Sequence, residues 1–73
     1  MGIYNIENLS RSEIEHLIDE WIFNERDRAI LKRRLLDGLK YEALAEEFDM
    51  SVRRTKSIVY KSQERLFKAI DKL

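Results

Sequence analysis

The sequence predicts an all-α fold: a compact four-helix domain that ends in a helix-turn-helix with a long last helix. Three observations carry this. Proline is absent and glycine occurs only at Gly2 and Gly38, so little interrupts a helical pattern along 73 residues. Apolar residues recur at three- and four-residue steps in successive stretches. Serine, asparagine and glycine stand where those stretches begin or end, as helix caps require. A single domain is expected over 1–73, with an arm and first helix in 1–23 and the rest of the core in 24–73.

Residues 1–9 read as an irregular arm, with Ile3, Tyr4, Ile6 and Leu9 apolar enough to pack. Ser10-x-x-Glu13 and Ser12-x-x-Glu15 both have the capping-box spacing, in which a hydroxyl and a carboxylate each satisfy a free backbone N–H. The first helix follows, with Ile14, Leu17, Ile18, Trp21 and Ile22 on one stripe and His16 off it. Asn24 suits the cap of a second helix, with Glu25 and Asp27 at its positive end. Its buried face is expected from Ala29, Ile30, Leu31, Leu35 and Leu36. Lys32, Arg33 and Arg34 fall near its end, where cations complement the helix dipole, and Gly38 fits the left-handed residue that closes it.

After a short link at Leu39 and Lys40, a third helix is expected from about Tyr41 to Phe48, with Leu44 and Phe48 inward and Ala45 small enough for a close helix approach. Asp49-Met50-Ser51 is the turn, with Ser51 the cap of the fourth helix. That helix runs from Val52 towards the C-terminus on a stripe of Val52, Thr55, Ile58, Val59, Ser62, Leu66, Ala69, Ile70 and Leu73. Arg53, Ser57, Tyr60 and Glu64 lie opposite the stripe, and Arg54, Lys56 and Lys61 lie on its flanks. The apolar end formed by Leu66, Phe67, Ile70 and Leu73 suits either packing on the first helix or a second copy of the chain.

The formal net charge is zero, but its distribution is uneven. Residues 1–24 carry Arg11 alone against Glu7, Glu13, Glu15, Asp19 and Glu20, a net of −4. Residues 25–48 balance. Residues 49–73 carry seven bases against Asp49, Glu64 and Asp71, a net of +4. A polyanion responds to the patch within a Debye length of roughly 10 Å, so the basic last helix matters more than the total.

The strongest functional signal is the segment 41–61, a short helix, a turn and a basic helix. A small residue follows an apolar one (Leu44-Ala45), Phe48 comes four residues after Leu44, Met50 plugs the turn, and apolar positions resume at Ile58 and Val59. Such a pair can lay its second helix in the major groove of DNA. A plain helical hairpin with a solvated charged face is the alternative reading of the same residues. On the DNA reading, Arg53 and Lys56 reach base edges, Ser57 and Tyr60 add a base or phosphate contact, Arg54 and Lys61 touch phosphate, and Ser51 with the helix N-terminus receives a phosphate.

Residues 40–66 resemble the helix-turn-helix of region 4 of housekeeping-type bacterial sigma factors, which reads the upstream promoter element. The matching residues are Tyr41-Glu42-Ala43-Leu44-Ala45-Glu46-Glu47-Phe48-Asp49-Met50-Ser51, then Arg53-Arg54-x-Lys56, Ile58 and Lys61-x-x-x-Arg65-Leu66. The run from Glu25 to Gly38 is similar to the helix that precedes that motif in the family. The resemblance implies a sequence-specific, double-stranded DNA-binding regulator of bacterial or phage transcription, with RNA polymerase as a further partner. Three departures stand out. Lys40 replaces a capping Ser or Thr, so the third helix is expected to lack a side-chain cap. Thr55 replaces an aliphatic core residue. Ser57 stands where the family carries its base-reading glutamine, so no promoter preference carries over. A working sigma factor also needs further domains, and none is expected within these 73 residues.

Other chemistry finds no constellation. There is no cysteine, hence no disulfide or thiolate metal site, which suits a cytoplasmic location. No apolar run approaches the roughly 20 residues of a membrane span, and no secretory signal is expected. His16 has no second imidazole, and the carboxylates of Glu13 and Glu15 or of Glu46 and Glu47 diverge around a helix. Neither a phosphate-binding glycine loop nor a nucleophile-and-base pair occurs. The expectation is no enzyme, no cofactor, no metal and no small-molecule substrate. The competing function is a protein-interaction module: the acidic, aromatic first half (Glu13, Glu15, Asp19, Glu20, Trp21 and Phe23) holds RNA polymerase or another regulator, without direct DNA contact. Trp21 and Phe23 are expected in the core or at an interface.

Overall fold

A computed structural model describes residues 9–71. The expected positions Ile3, Tyr4, Ile6 and Leu73 lie outside the described residues. Four helices follow one another: α1 (Arg11–Trp21), α2 (Glu25–Leu35), α3 (Tyr41–Glu47) and α4 (Val52–Asp71). The described residues contain no strand. The architecture is the expected all-α four-helix domain.

Local chemistry sets each boundary. Of the two capping-box spacings before α1, the chain uses the first. The Ser10 N–H donates to the Glu13 carboxylate at 2.9 Å, and the Glu13 N–H donates to the Ser10 hydroxyl at 3.1 Å. Ser12 lies within the helix instead. Asn24 starts α2 by accepting from the Asp27 N–H at 3.0 Å. Gly38, at φ +69°, turns the chain after α2, and the next N–H, that of Leu39, returns to the Arg33 carbonyl at 3.2 Å. Lys40 precedes α3 without a side-chain cap bond, as its side-chain type predicts.

The core gathers one stripe from each helix. Ile14, Ile18 and Ile22 come from α1 and the residue that ends it; Ile30 and Leu31 from α2; Leu44 from α3; Val59 and Leu66 from α4. Leu9 packs against this cluster from the end of the arm, and Leu17, Leu35, Leu36, Phe48, Met50, Ile58 and Ile70 border it half-buried. Removing a large aliphatic side chain from water contributes about 1.5–3 kcal/mol, so these burials outweigh the exposed ion pairs. Ala45, Ser62 and Ala69 are also buried, and their small side chains leave room for close helix packing. Leu66 and Ala69 bury their side chains within the monomer.

α4 is the spine. Its 20 residues extend about 30 Å at 1.5 Å per residue, matching a molecule of 36 × 21 × 19 Å, and it packs on each of the other three helices.

The basic run at the end of α2 has a destination that helix-end electrostatics alone does not express. The Lys32 ammonium meets Asp19 of α1 at 2.6 Å. Arg33 donates to both carboxylate oxygens of Glu47, at 2.6 and 3.0 Å, and to Asp37 at 2.9 Å. Arg34 donates to the Leu39 carbonyl at 2.7 Å. Arg11 completes the set from the start of α1, donating to Asp37 at 2.9 Å and to the Leu36 carbonyl at 3.2 Å. Lys32, Arg33 and Arg11 thus bind α1, the end of α2 and the end of α3 together, and Arg34 ties the link after α2.

Candidate nucleic-acid interface

The turn between α3 and α4 sets how the second helix is presented. Asp49 takes a left-handed conformation at φ +54°, the position glycine usually fills after a helix. The Met50 N–H then reaches the Ala45 carbonyl at 2.9 Å and the Asp49 N–H reaches that of Glu46 at 3.3 Å. This pair of bonds is a Schellman closure, with aspartate tolerated where a branched side chain would clash. Met50 lies half-buried against the core, plugging the turn.

Ser51 opens α4, its hydroxyl accepting from the Arg54 N–H at 3.1 Å. No acidic residue occupies the first turn of α4, so its positive end is not neutralised from within the helix. Thr55 shows how a polar residue serves where the resembled family has an aliphatic one. It is fully buried, and its hydroxyl donates to the Ser51 carbonyl at 2.8 Å, alongside its own N–H at 3.0 Å. The hydroxyl is satisfied locally, so its methyl group can pack without an orphaned donor.

All seven residues singled out in the sequence, Ser51, Arg53, Arg54, Lys56, Ser57, Tyr60 and Lys61, are exposed. Buried Thr55, Val59 and Ser62 anchor the opposite side of the same turns. At about 100° per residue, Arg53, Ser57 and Tyr60 share the outermost face with Glu64. Arg54 and Lys61 share one flank with Arg65 and Lys68, whereas Lys56 lies on the other.

That second flank is organised by a residue the sequence did not single out. Tyr41, at the start of α3, receives the Arg34 guanidinium over its ring at 4.3 Å and the Lys56 ammonium at 5.6 Å. Tyr60 meets the same ring edge-on, with centroids 6.1 Å apart. Tyr41 therefore joins the end of α2 to the outer face of α4 and restricts two of the seven residues. Only its place at the first position of the short helix hinted at this, since its partners lie 7, 15 and 19 positions away (Arg34, Lys56 and Tyr60).

Among the described residues, Arg53, Arg54, Lys56, Lys61 and Arg65 form no ion pair, whereas Lys68 meets Glu64 at 3.2 Å. Trp21 and Phe23 divide the expectation of core or interface. Trp21 is half-buried with its indole N–H enclosed and lacking an acceptor, and Phe23 is 72% exposed. His16 is exposed and lies 3.2 Å from Glu20, one turn along α1. Among the described residues no group of three His, Cys, Asp or Glu side chains could hold a metal ion, and no helix is long and apolar enough to cross a membrane. No family model, curated protein or solved structure matches the chain.

Proposed function

We propose that this chain binds double-stranded DNA in the manner of sigma region 4, as a small transcriptional regulator whose α4 enters the major groove. The observation that carries the reading is the outward, unpaired set of cations on the first three turns of α4, seated behind a tight turn on α3. In this arrangement Arg53 and Lys56 meet base edges and Arg54 and Lys61 meet phosphates. Ser57 and Tyr60 lie between, and the N-terminus of α4 at Ser51 receives a phosphate. An arginine–guanine pair discriminates by about 1–3 kcal/mol, and each phosphate contact adds about −0.9 to the slope of log K against log salt.

The test is fluorescence anisotropy with duplexes selected from a random pool, at two salt concentrations. The parent should bind with a steep salt dependence. The Arg53→Glu, Lys56→Glu double variant should lose roughly a hundredfold or more in affinity while keeping its circular dichroism melting curve. Parent-like binding by a folded double variant would remove the groove assignment. Absence of any salt-dependent duplex binding would favour the competing reading, in which α4 contacts protein.

A further inference from the structure

The charge around Trp21 and Phe23 is opposite to what their sequence neighbourhood suggests. Trp21 ends an acidic helix and Phe23 follows it, yet the fold sets α4 cations against them. A cleft of about 440 Å³ is lined by Trp21 with Lys61, Glu64, Arg65, Lys68 and Ala69. A smaller one of about 170 Å³ shares Lys61 and Arg65 with the first and adds Phe23 and Asp27. Both acids at these clefts are already engaged: Glu64 with Lys68 at 3.2 Å, and Asp27 with Arg26 at 3.3 Å. Lys61 and Arg65 are the lining cations with no ion pair among the described residues. Beside them stands Phe23, 72% exposed, the most exposed large apolar side chain of the described residues.

We propose that this double cleft, between the end of α1 and the C-terminal half of α4, binds a short acidic segment of another protein that carries an aromatic or aliphatic side chain. The apolar side chain covers Phe23 and the exposed part of Trp21, and flanking carboxylates pair with Lys61 and Arg65. Two requirements are met together: apolar area wants removal from water, and two adjacent cations want anionic partners. A DNA backbone satisfies only the second, since phosphates and sugars offer little to cover a phenyl ring. Arg65 lies 12 residues beyond Arg53, about 18 Å along the helix, so this site is distinct from the duplex-facing start of α4 although Lys61 borders both. The inference does not rest on the DNA reading.

Trp21 is the sole tryptophan, so its emission reports occupancy directly. The probe is a short tryptophan-free peptide of glutamates and aspartates around a central Leu-Phe pair; the control peptide has Gly-Ser in place of Leu-Phe. The Leu-Phe peptide should produce a saturable change in emission, and the Gly-Ser peptide should bind at least about tenfold more weakly. Phe23→Ala and Arg65→Glu should each weaken the Leu-Phe peptide by about tenfold or more. Phe23→Ala, at an exposed position, should keep the parent melting temperature and the parent duplex affinity. The proposal is overturned by the absence of a saturable change, by equal affinity for the two peptides, or by indifference to Phe23→Ala. It is equally overturned if Phe23→Ala weakens duplex binding and leaves peptide binding intact, because the surface then belongs to nucleic acid. Duplex binding by the parent and by the Arg53→Glu, Lys56→Glu variant is read separately, so failure here leaves the reading of the α4 start untouched.

Discussion

Two basic stretches of the molecule have similar composition and opposite fates. Lys32, Arg33 and Arg34 end α2, and all three are engaged within the fold, by Asp19, by Glu47 with Asp37, and by the Leu39 carbonyl. Arg53, Arg54 and Lys56 begin α4 and reach no carboxylate among the described residues. A run of cations is therefore not a binding surface by itself. What decides is whether the fold brings acids within reach of it. At the end of α2 it brings three, from α1, from α3 and from the link between α2 and α3, and the run becomes a clasp. At the start of α4 it brings none, and the charge stays exposed without a carboxylate partner among the described residues.

Exchanging charge at one position in each stretch gives the sharpest test. Arg33→Glu sets three carboxylates together and should lower the melting temperature clearly, while duplex affinity per folded molecule stays within about twofold. Arg53→Glu should do the reverse, costing about tenfold or more in duplex affinity with an unchanged melting temperature. If both variants lose only stability, or both lose only binding, the distinction between clasp and surface fails.

The helix start that supports the exposed stretch gives a smaller effect. Ser51→Ala removes an N-cap bond and should cost about 1 kcal/mol in urea unfolding. Acid should act on the clasp and, through the Glu13 carboxylate held low by the Ser10 N–H, on the cap of α1. Hydrogen bonds from Arg11 and Arg33 hold the Asp37 carboxyl below its ordinary range, and Arg33 does the same for Glu47. The unfolded chain then takes up protons first as the pH falls. The clasp contributes fully above the ordinary carboxylate range and is lost as the pH drops through the lowered values. Melting temperature should therefore fall more steeply on acidification in the parent than in Arg33→Ala, measured by circular dichroism across that range. The smallest change is expected for Thr55→Val, within about 1 kcal/mol, because the Ser51 carbonyl keeps the backbone N–H of residue 55 as a donor.

What could be read from the chain and what could not divide along the same line. The caps at Ser10, Asn24 and Ser51, the closure at Gly38, the uncapped Lys40 and the α4 stripe are local; each depends on residues a turn or two apart. The destinations of Arg11 and Arg33 depend on carboxylates 26 and 14 positions away, which periodicity does not encode. The positive surroundings of Phe23 were hidden for the same reason, since Lys61 and Arg65 arrive from the far end of the chain. The outward placement of Arg53, Lys56 and Ser57 was legible because helical geometry alone determines it once Thr55 and Val59 are recognised as buried.

The missing cap at Lys40 leaves α3 unusual among the helices. It has seven residues, and its first turn has no hydroxyl or carboxylate holding the leading amides. Its first residue is held by the grip of Arg34 on the Tyr41 ring, a contact between side chains rather than a backbone tether. Fraying would begin there, with the amides of Tyr41 to Ala43 exchanging with deuterium ahead of the interior of α4. Each such excursion would unseat the ring on which Lys56 and Tyr60 lean, so the looseness of one small turn becomes the adaptability of the surface beside it.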